Sequence, residues 1–293
     1  MNAILIPYFL AAYVAVNDTS EWTFGPEYAY DMNITYIMKP DPHQPIHKLQ
    51  LISTIKCRPK TPDNLFCHLY NLTESELFEN HNMTREAQTE QMFEIKFNEH
   101  GVEGLVIEPP SRMEVVNVLR KIATQFNVVV DRRKIGMSQF MARENSTMGD
   151  CAAVYRITRE EPETDTSEKI DNDFRLVILP LADAKPETTL LIQKSRMGCI
   201  NPPRYVDFSR GILEMRRFVS KIQINSDKFE TFTEFDGKVR FSTESEIRIL
   251  SFKEIIQINL NSIEPAQNQL PSLYYGELID LNTNNDIPSN FIN

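Results

Sequence analysis

The sequence predicts a mainly β protein, a large antiparallel barrel-like sheet enclosing one central amphipathic helix. Three observations predict it. Most of the chain alternates apolar and polar residues with period 2, as in Phe93, Ile95 and Phe97 against Glu94 and Lys96, the pattern of a half-buried strand. A single stretch breaks that period: Met113, Val116, Leu119, Ile122, Ala123 and Phe126 fall at helical spacing, with Asn117, Arg120, Lys121 and Gln125 on the other face. Between the two, Pro109-Pro110 forbids further ladder pairing, and Ser111 with Glu114 three residues on reads as a capping box. One greasy helix among strands must bury its stripe against the inside of the sheet, which makes it a plug.

The remaining elements follow in order. Tyr28, Tyr30, Met32, Ile34, Tyr36 and Met38 alternate through a long strand, and the tyrosines read as core rather than as a ligand box. Pro40, Pro42 and Pro45 mark a turn, with Ile46 to Lys56 as the antiparallel partner and Leu65 to Asn71 as a third strand. The polar stretch Thr73 to Glu90 reads as an exposed loop or frayed helix. Asn98-Glu99-His100-Gly101 turns the Phe93 strand back through Val102 to Ile107. Val128 to Val130 and Asp150 to Thr158 read as strands around a polar loop holding Asn145, and the acidic run Glu160 to Asp173 as a solvated loop. Leu176 to Leu181 and Thr188 to Gln193 are strand-like. A meander closes the domain: Phe218 to Ile224, Lys228 to Phe235, an Asp236-Gly237 turn, Lys238 to Phe241, and Ile247 to Asn261.

Composition excludes several functions. The chain has 9 Gly in 293 residues, where the usual ~7% would give about twice as many, and none of the Gly-rich phosphate-loop or nucleophile-elbow motifs occurs. A net charge of −10 argues against general nucleic-acid binding, which needs a basic surface. No nucleophile–base signature is visible, so no catalytic residue is predicted and the chain is read as a non-enzyme without a cofactor. His43 and His47 lie in a Pro-broken segment that cannot place them on one helical face, and His68, His81 and His100 are scattered, so no metal site is predicted.

Residues 1–16 read as a signal peptide: Ala3 to Val16 is apolar apart from Pro7 and too short to span a bilayer as a helix, and no transmembrane segment is expected elsewhere. Asn17, Asn33, Asn71, Asn82 and Asn145 each open an Asn-x-Ser/Thr sequon, which fits secretion and N-glycosylation. Four cysteines suit an oxidising compartment. A local Cys57–Cys67 bridge would staple the Pro-rich excursion and leave Cys151 and Cys199 as the second pair, but four cysteines allow three connectivities and sequence does not choose. Arg132-Arg133-Lys134, with Arg120 and Lys121 upstream, is a basic cluster in an acidic protein. As charges alone these residues, like Arg216-Arg217 and Lys56 with Lys60, read as solvated strand ends.

Taken in order, these pieces resemble the amino-terminal β-barrel, or N-sheet, of vitellogenins and the wider large lipid transfer protein family. The resemblance starts at Trp22-Thr-Phe-Gly-Pro-Glu-Tyr-Ala-Tyr and continues through Phe93-Glu-Ile-Lys-Phe-Asn, the helix Met113 to Phe126 and Gly149-Asp-Cys-Ala. It then takes in the Cys199 segment, the hairpins to Ser262 and Leu270-Pro through Leu278-Ile. It implies one domain over 22–281, a Cys151–Cys199 disulfide, and a polar tail over 282–293 or the start of a helical domain. It also implies a place in lipid or yolk transport, with lipids or a lipoprotein-receptor-type membrane receptor as partner. Acidic modules of such a receptor would attract Arg120, Lys121, Arg132, Arg133 and Lys134. The helical superhelix and later sheets that enclose lipid in that family have no counterpart here, so no lipid cavity of the chain's own is expected. The alternative is a stand-alone secreted β-barrel in host defence, or an effector binding surface lipids or proteins.

Overall fold

The computed structural model describes residues 12–16, 20–39, 45–60, 63–78, 81–87, 90–98, 100–109, 112–129, 138–162, 174–178, 185, 187–200, 212–242 and 247–282. The strands are β1 (Ala12–Val16), β2 (Pro26–Lys39), β3 (His47–Lys60), β4 (Asn64–Phe78), β5 (His81–Ala87), β6 (Gln91–Asn98) and β7 (Gly101–Ile107). After the helix α1 (Met113–Gln125) come β8 (Gln139–Ser146), β9 (Gly149–Glu160), β10 (Phe174–Ile178), β11 (Thr189–Ile200) and β12 (Ile212–Ile224). The last are β13 (Phe229–Ser242), β14 (Ile247–Pro265) and β15 (Glu277–Ile279).

Thirteen strands form one antiparallel sheet in the order β15-β7-β6-β4-β3-β2-β14-β13-β12-β11-β9-β8, with β5 paired to the outer half of β4. Among the described residues, β1 and β10 stand apart as a two-stranded antiparallel sheet. The inward side of β2 carries Tyr28, Tyr30, Met32 and Ile34, all essentially without solvent exposure, while Asp31 and Asn33 face out. The period of two therefore sets which face is core.

The sheet curls around α1 and, among the described residues, does not close by backbone pairing, because β15 and β8 remain its two ends. Asn127, just past the helix, closes the gap instead. Its Oδ1 accepts from the Val102 amide of β7 at 2.9 Å, and its Nδ2 donates to the Asn145 carbonyl of β8 at 2.9 Å. Asn145 Nδ2 also donates to Asp280 Oδ1 at 2.5 Å, next to β15. Gly101 sits against this staple at φ +100°, where any side chain would collide with Asn127 Oδ1.

Several local expectations change. The segment 73–90 is not a loop: β4 runs on to Phe78 and β5 pairs back, with Met83 to Glu86 exposed. Its polarity reflects a hairpin projecting beyond the core, where two wet faces hide the period-2 signal. Asn145 lies in strand β8, whereas 127–129 lies outside the ladder, with the Asn127 carbonyl and the Val129 amide bonded to side chains within the barrel, and Val130 lies outside the described residues. Asp236-Gly237 makes no turn. β13 runs straight through it, and Gly237 is needed because a Cβ would lie 2.7 Å from the Glu214 carbonyl at the bulge between Met215 and Arg217. The helix begins after Arg112, whose side chain caps nothing, and Ser111 lies outside the described residues. The acidic loop falls mostly outside them as well, as does the tail from 283 onward.

Candidate functional site

The plug helix is buried on every side from Val115 to Gln125, including the face that carries Asn117, Arg120, Lys121 and Gln125. Arg120 is 1% exposed, donating from Nε to the Asp280 carbonyl at 2.8 Å and from Nη1 to Asn117 Oδ1 at 3.2 Å. Lys121 is 4% exposed, with Nζ 2.8 Å from the Tyr36 hydroxyl and 2.6 Å from Glu254 Oε2. An exposed basic patch therefore does not include these two cations. A helix wrapped by sheet has no outward face, so its polar stripe must find partners inside. Arg132, Arg133 and Lys134 lie outside the described residues.

Sequence reading missed the second half of this internal polar belt. Gln125 Oε1 accepts from Thr233 at 2.8 Å and Thr231 at 3.3 Å, and Thr233 meets Ser220 at 2.9 Å. Arg196 donates from Nη1 to Ser220 at 2.7 Å and from Nε to Glu144 Oε2 at 2.7 Å. Glu144 Oε1 accepts from Lys194 Nζ at 3.2 Å and from the Tyr155 hydroxyl, while Lys194 also donates to the Asn127 carbonyl. Burial holds the Lys194 ammonium down at about 7, with Glu144 pulling the other way and Arg196 adding to the depression. One signal was legible: Leu190, Ile192, Lys194 and Arg196 share one face of β11, so two cations continue an apolar row. These groups are sealed from solvent, so their work is holding the helix in the sheet.

The open end differs. Where the first turns of α1 approach β2, β3, β4 and β14, a cleft of about 540 Å³ opens. Its walls are largely apolar, among them Met38, Leu49, Leu51, Leu72, Val118 and Phe252, and Tyr36 and Lys121 stand at one side. At the rim are Arg112, Glu114 and Glu74, whose side chains have no hydrogen-bond or ion-pair partner among the described residues. Two carboxylates and one guanidinium thus wait beside an apolar hollow. Among the described residues no group of three or more His, Cys, Asp or Glu side chains could hold a metal, and no helix is long and apolar enough to cross a membrane.

Cys57 and Cys67 are directly paired across β3 and β4 and bonded to each other, and Cys151–Cys199 links β9 to the bulge of β11. The sequons are placed very differently. Asn71 is exposed at φ +51°, in the break between the two halves of β4, whereas Asn33 Oδ1 accepts from Gln50 at 3.0 Å on the sheet's outer face. Asn145 spends its amide on Asp280, flanked by buried Ser146 and Thr147. Asn82 lies in β5, and Asn17 lies outside the described residues.

No protein-family model matches the chain, and no curated protein does. A solved structure of lipovitellin, described by its lipid–protein interactions, matches with a TM-score of 0.58 at 11% identity. The match covers 89% of this chain and 28% of the lipovitellin chain, so this chain spans less than a third of that protein. At that identity the likeness speaks to architecture alone: the chain has a lipovitellin-like, mainly β fold with one enclosed helix.

Proposed function

We propose that the chain is a secreted, glycosylated, lipovitellin-like domain serving a lipid or yolk transport system through binding of a receptor or other partner. The observation that carries this is the fold match over 89% of the chain. Two disulfides support an oxidising compartment. The signal-peptide reading is also supported by where β1 sits. Among the described residues it pairs with β10 and not with the thirteen-stranded sheet, so removing residues 1–16 would leave that sheet whole.

With Arg120 and Lys121 committed inside the barrel, Arg132, Arg133 and Lys134 carry the receptor reading. Reversing all three to Glu is expected to weaken capture by an acidic receptor module roughly tenfold or more at low salt, and far less at high salt. Surface plasmon resonance on the glycosylated secreted protein checks it. Unchanged capture at low salt removes this patch from the reading.

A further inference from the structure

The internal polar belt does not balance its charges where it meets β11. Lys194 and Arg196 are cations on one inward face of that strand, and Glu144 of β8 is the carboxylate that pairs with both. All three side chains are at most 1% exposed, so one positive charge is left over in a region closed to water. A buried charge without a counter-charge strongly destabilises a fold. Among the described residues, the other elements packed here bring no second carboxylate. β9 offers Tyr155, whose hydroxyl is engaged by Glu144 and the Val129 amide. β12 and β13 offer the hydroxyls of Ser220, Thr231 and Thr233, and the helix end offers Gln125 and the Asn127 carbonyl. Arg196 supplies a second, independent sign. Its Nε goes to Glu144 and its Nη1 to Ser220, both at 2.7 Å, yet its buried Nη2 has no hydrogen-bond partner. That nitrogen carries two of the five N–H donors of the guanidinium. The guanidinium lies over Phe218, its Cζ 4.3 Å from the ring, beside the smaller core around Cys151 and Phe235.

We propose that the belt binds one small monovalent anion, chloride in size and charge, against Arg196 Nη2, where it cancels the positive charge that Glu144 leaves unmatched. A phosphate or sulfate dianion would overshoot that charge, and an organic acid needs an opening that these sealed side chains do not offer. Loss of a proton from Lys194 would cancel the same charge, and burial already holds that ammonium down at about 7. Proton loss and anion binding are therefore alternatives. Below pH 7 Lys194 is cationic and the anion is held; above it Lys194 turns neutral and the anion is released. The site does not depend on the receptor reading, so either can fail alone.

The test follows thermal unfolding of the whole chain in sodium chloride against sodium gluconate at matched ionic strength, gluconate being too large to enter. Raising chloride from about 5 to about 500 mM near pH 6 is expected to lift Tm by roughly 3–6 °C, and by under about 1 °C near pH 9. Lys194→Met, which removes the excess charge, is expected to abolish the chloride response while unfolding stays cooperative. Arg196→Lys, which keeps the charge but lacks Nη2, should at least halve it. Crystals grown in bromide should show an anomalous peak at hydrogen-bond distance from Arg196 Nη2, a readout that needs no variant. An equal rise in gluconate overturns the site, as does a chloride response that persists in Lys194→Met or is the same at both pH values. A water without anomalous signal at Nη2 overturns it as well.

Discussion

Phe126 shows what a single residue does in this interior. Its ring stacks on Phe229 with centroids 5.8 Å apart and meets Tyr30 edge-on at 5.6 Å, so it ties the helix end to β13 and β2 at once. Phe126→Ala should cost about 3–5 kcal/mol, read from the shift in denaturant midpoint. Lys194 makes a different prediction. Its folded-state value is depressed to about 7, below that of a free lysine, so between pH 7 and 9.5 the unfolded chain binds more protons than the folded one. Stability should therefore rise with pH across that window, by up to about 1 kcal/mol per pH unit. Lys194→Met should flatten that rise in urea titrations run at pH 7, 8 and 9. A rise of equal slope in the variant would place its origin elsewhere.

Among the elements, α1 and the two disulfides divide the work of holding the sheet. The Cys151–Cys199 bridge spans 48 residues and Cys57–Cys67 spans 10. Loop-closure entropy then predicts losses of about 4 and about 3 kcal/mol for the paired Cys→Ala variants. Chemical denaturation of both double variants checks the order, and a larger loss at Cys57–Cys67 would argue against the entropic account. The helix itself was legible because a 3.6 period stands out against a period of 2. Its polar stripe was not. Asn117, Arg120, Lys121 and Gln125 look like a solvent face at the level of one helix, and only the strands wrapped behind them reveal partners in Asp280, Tyr36, Glu254 and Thr233. The β4–β5 hairpin failed for the converse reason: strands that leave the core lose the alternation by which strands are recognised.

For the molecule as a whole, closure depends on side chains rather than on a last row of backbone bonds. Asn127, Asn145 and Asp280 join the two free ends of the sheet from three distant points in the chain. That arrangement bears on modification. A glycan at Asn145 would displace its bond to Asp280, whereas Asn71 stands clear in solvent. Intact mass of the secreted protein, before and after glycan removal, should show cleavage within the first 16 residues. Peptide mapping should find glycan at Asn71 and none at Asn145. Retention of residues 12–16 would count against the export reading, and a glycan on Asn145 against the seam.

The sequence by itself determined the alternation of strands, the single amphipathic helix and the inward burial of its apolar stripe. These depend only on the spacing of residue types along a few turns or strand steps. Tertiary structure alone decided the fate of the charges: which cations are sealed against carboxylates inside the barrel and which stand at the rim of a cleft. Burial of a charge depends on what lies on the far side of it, and that comes from strands more than a hundred residues away, as with Arg120 and Asp280.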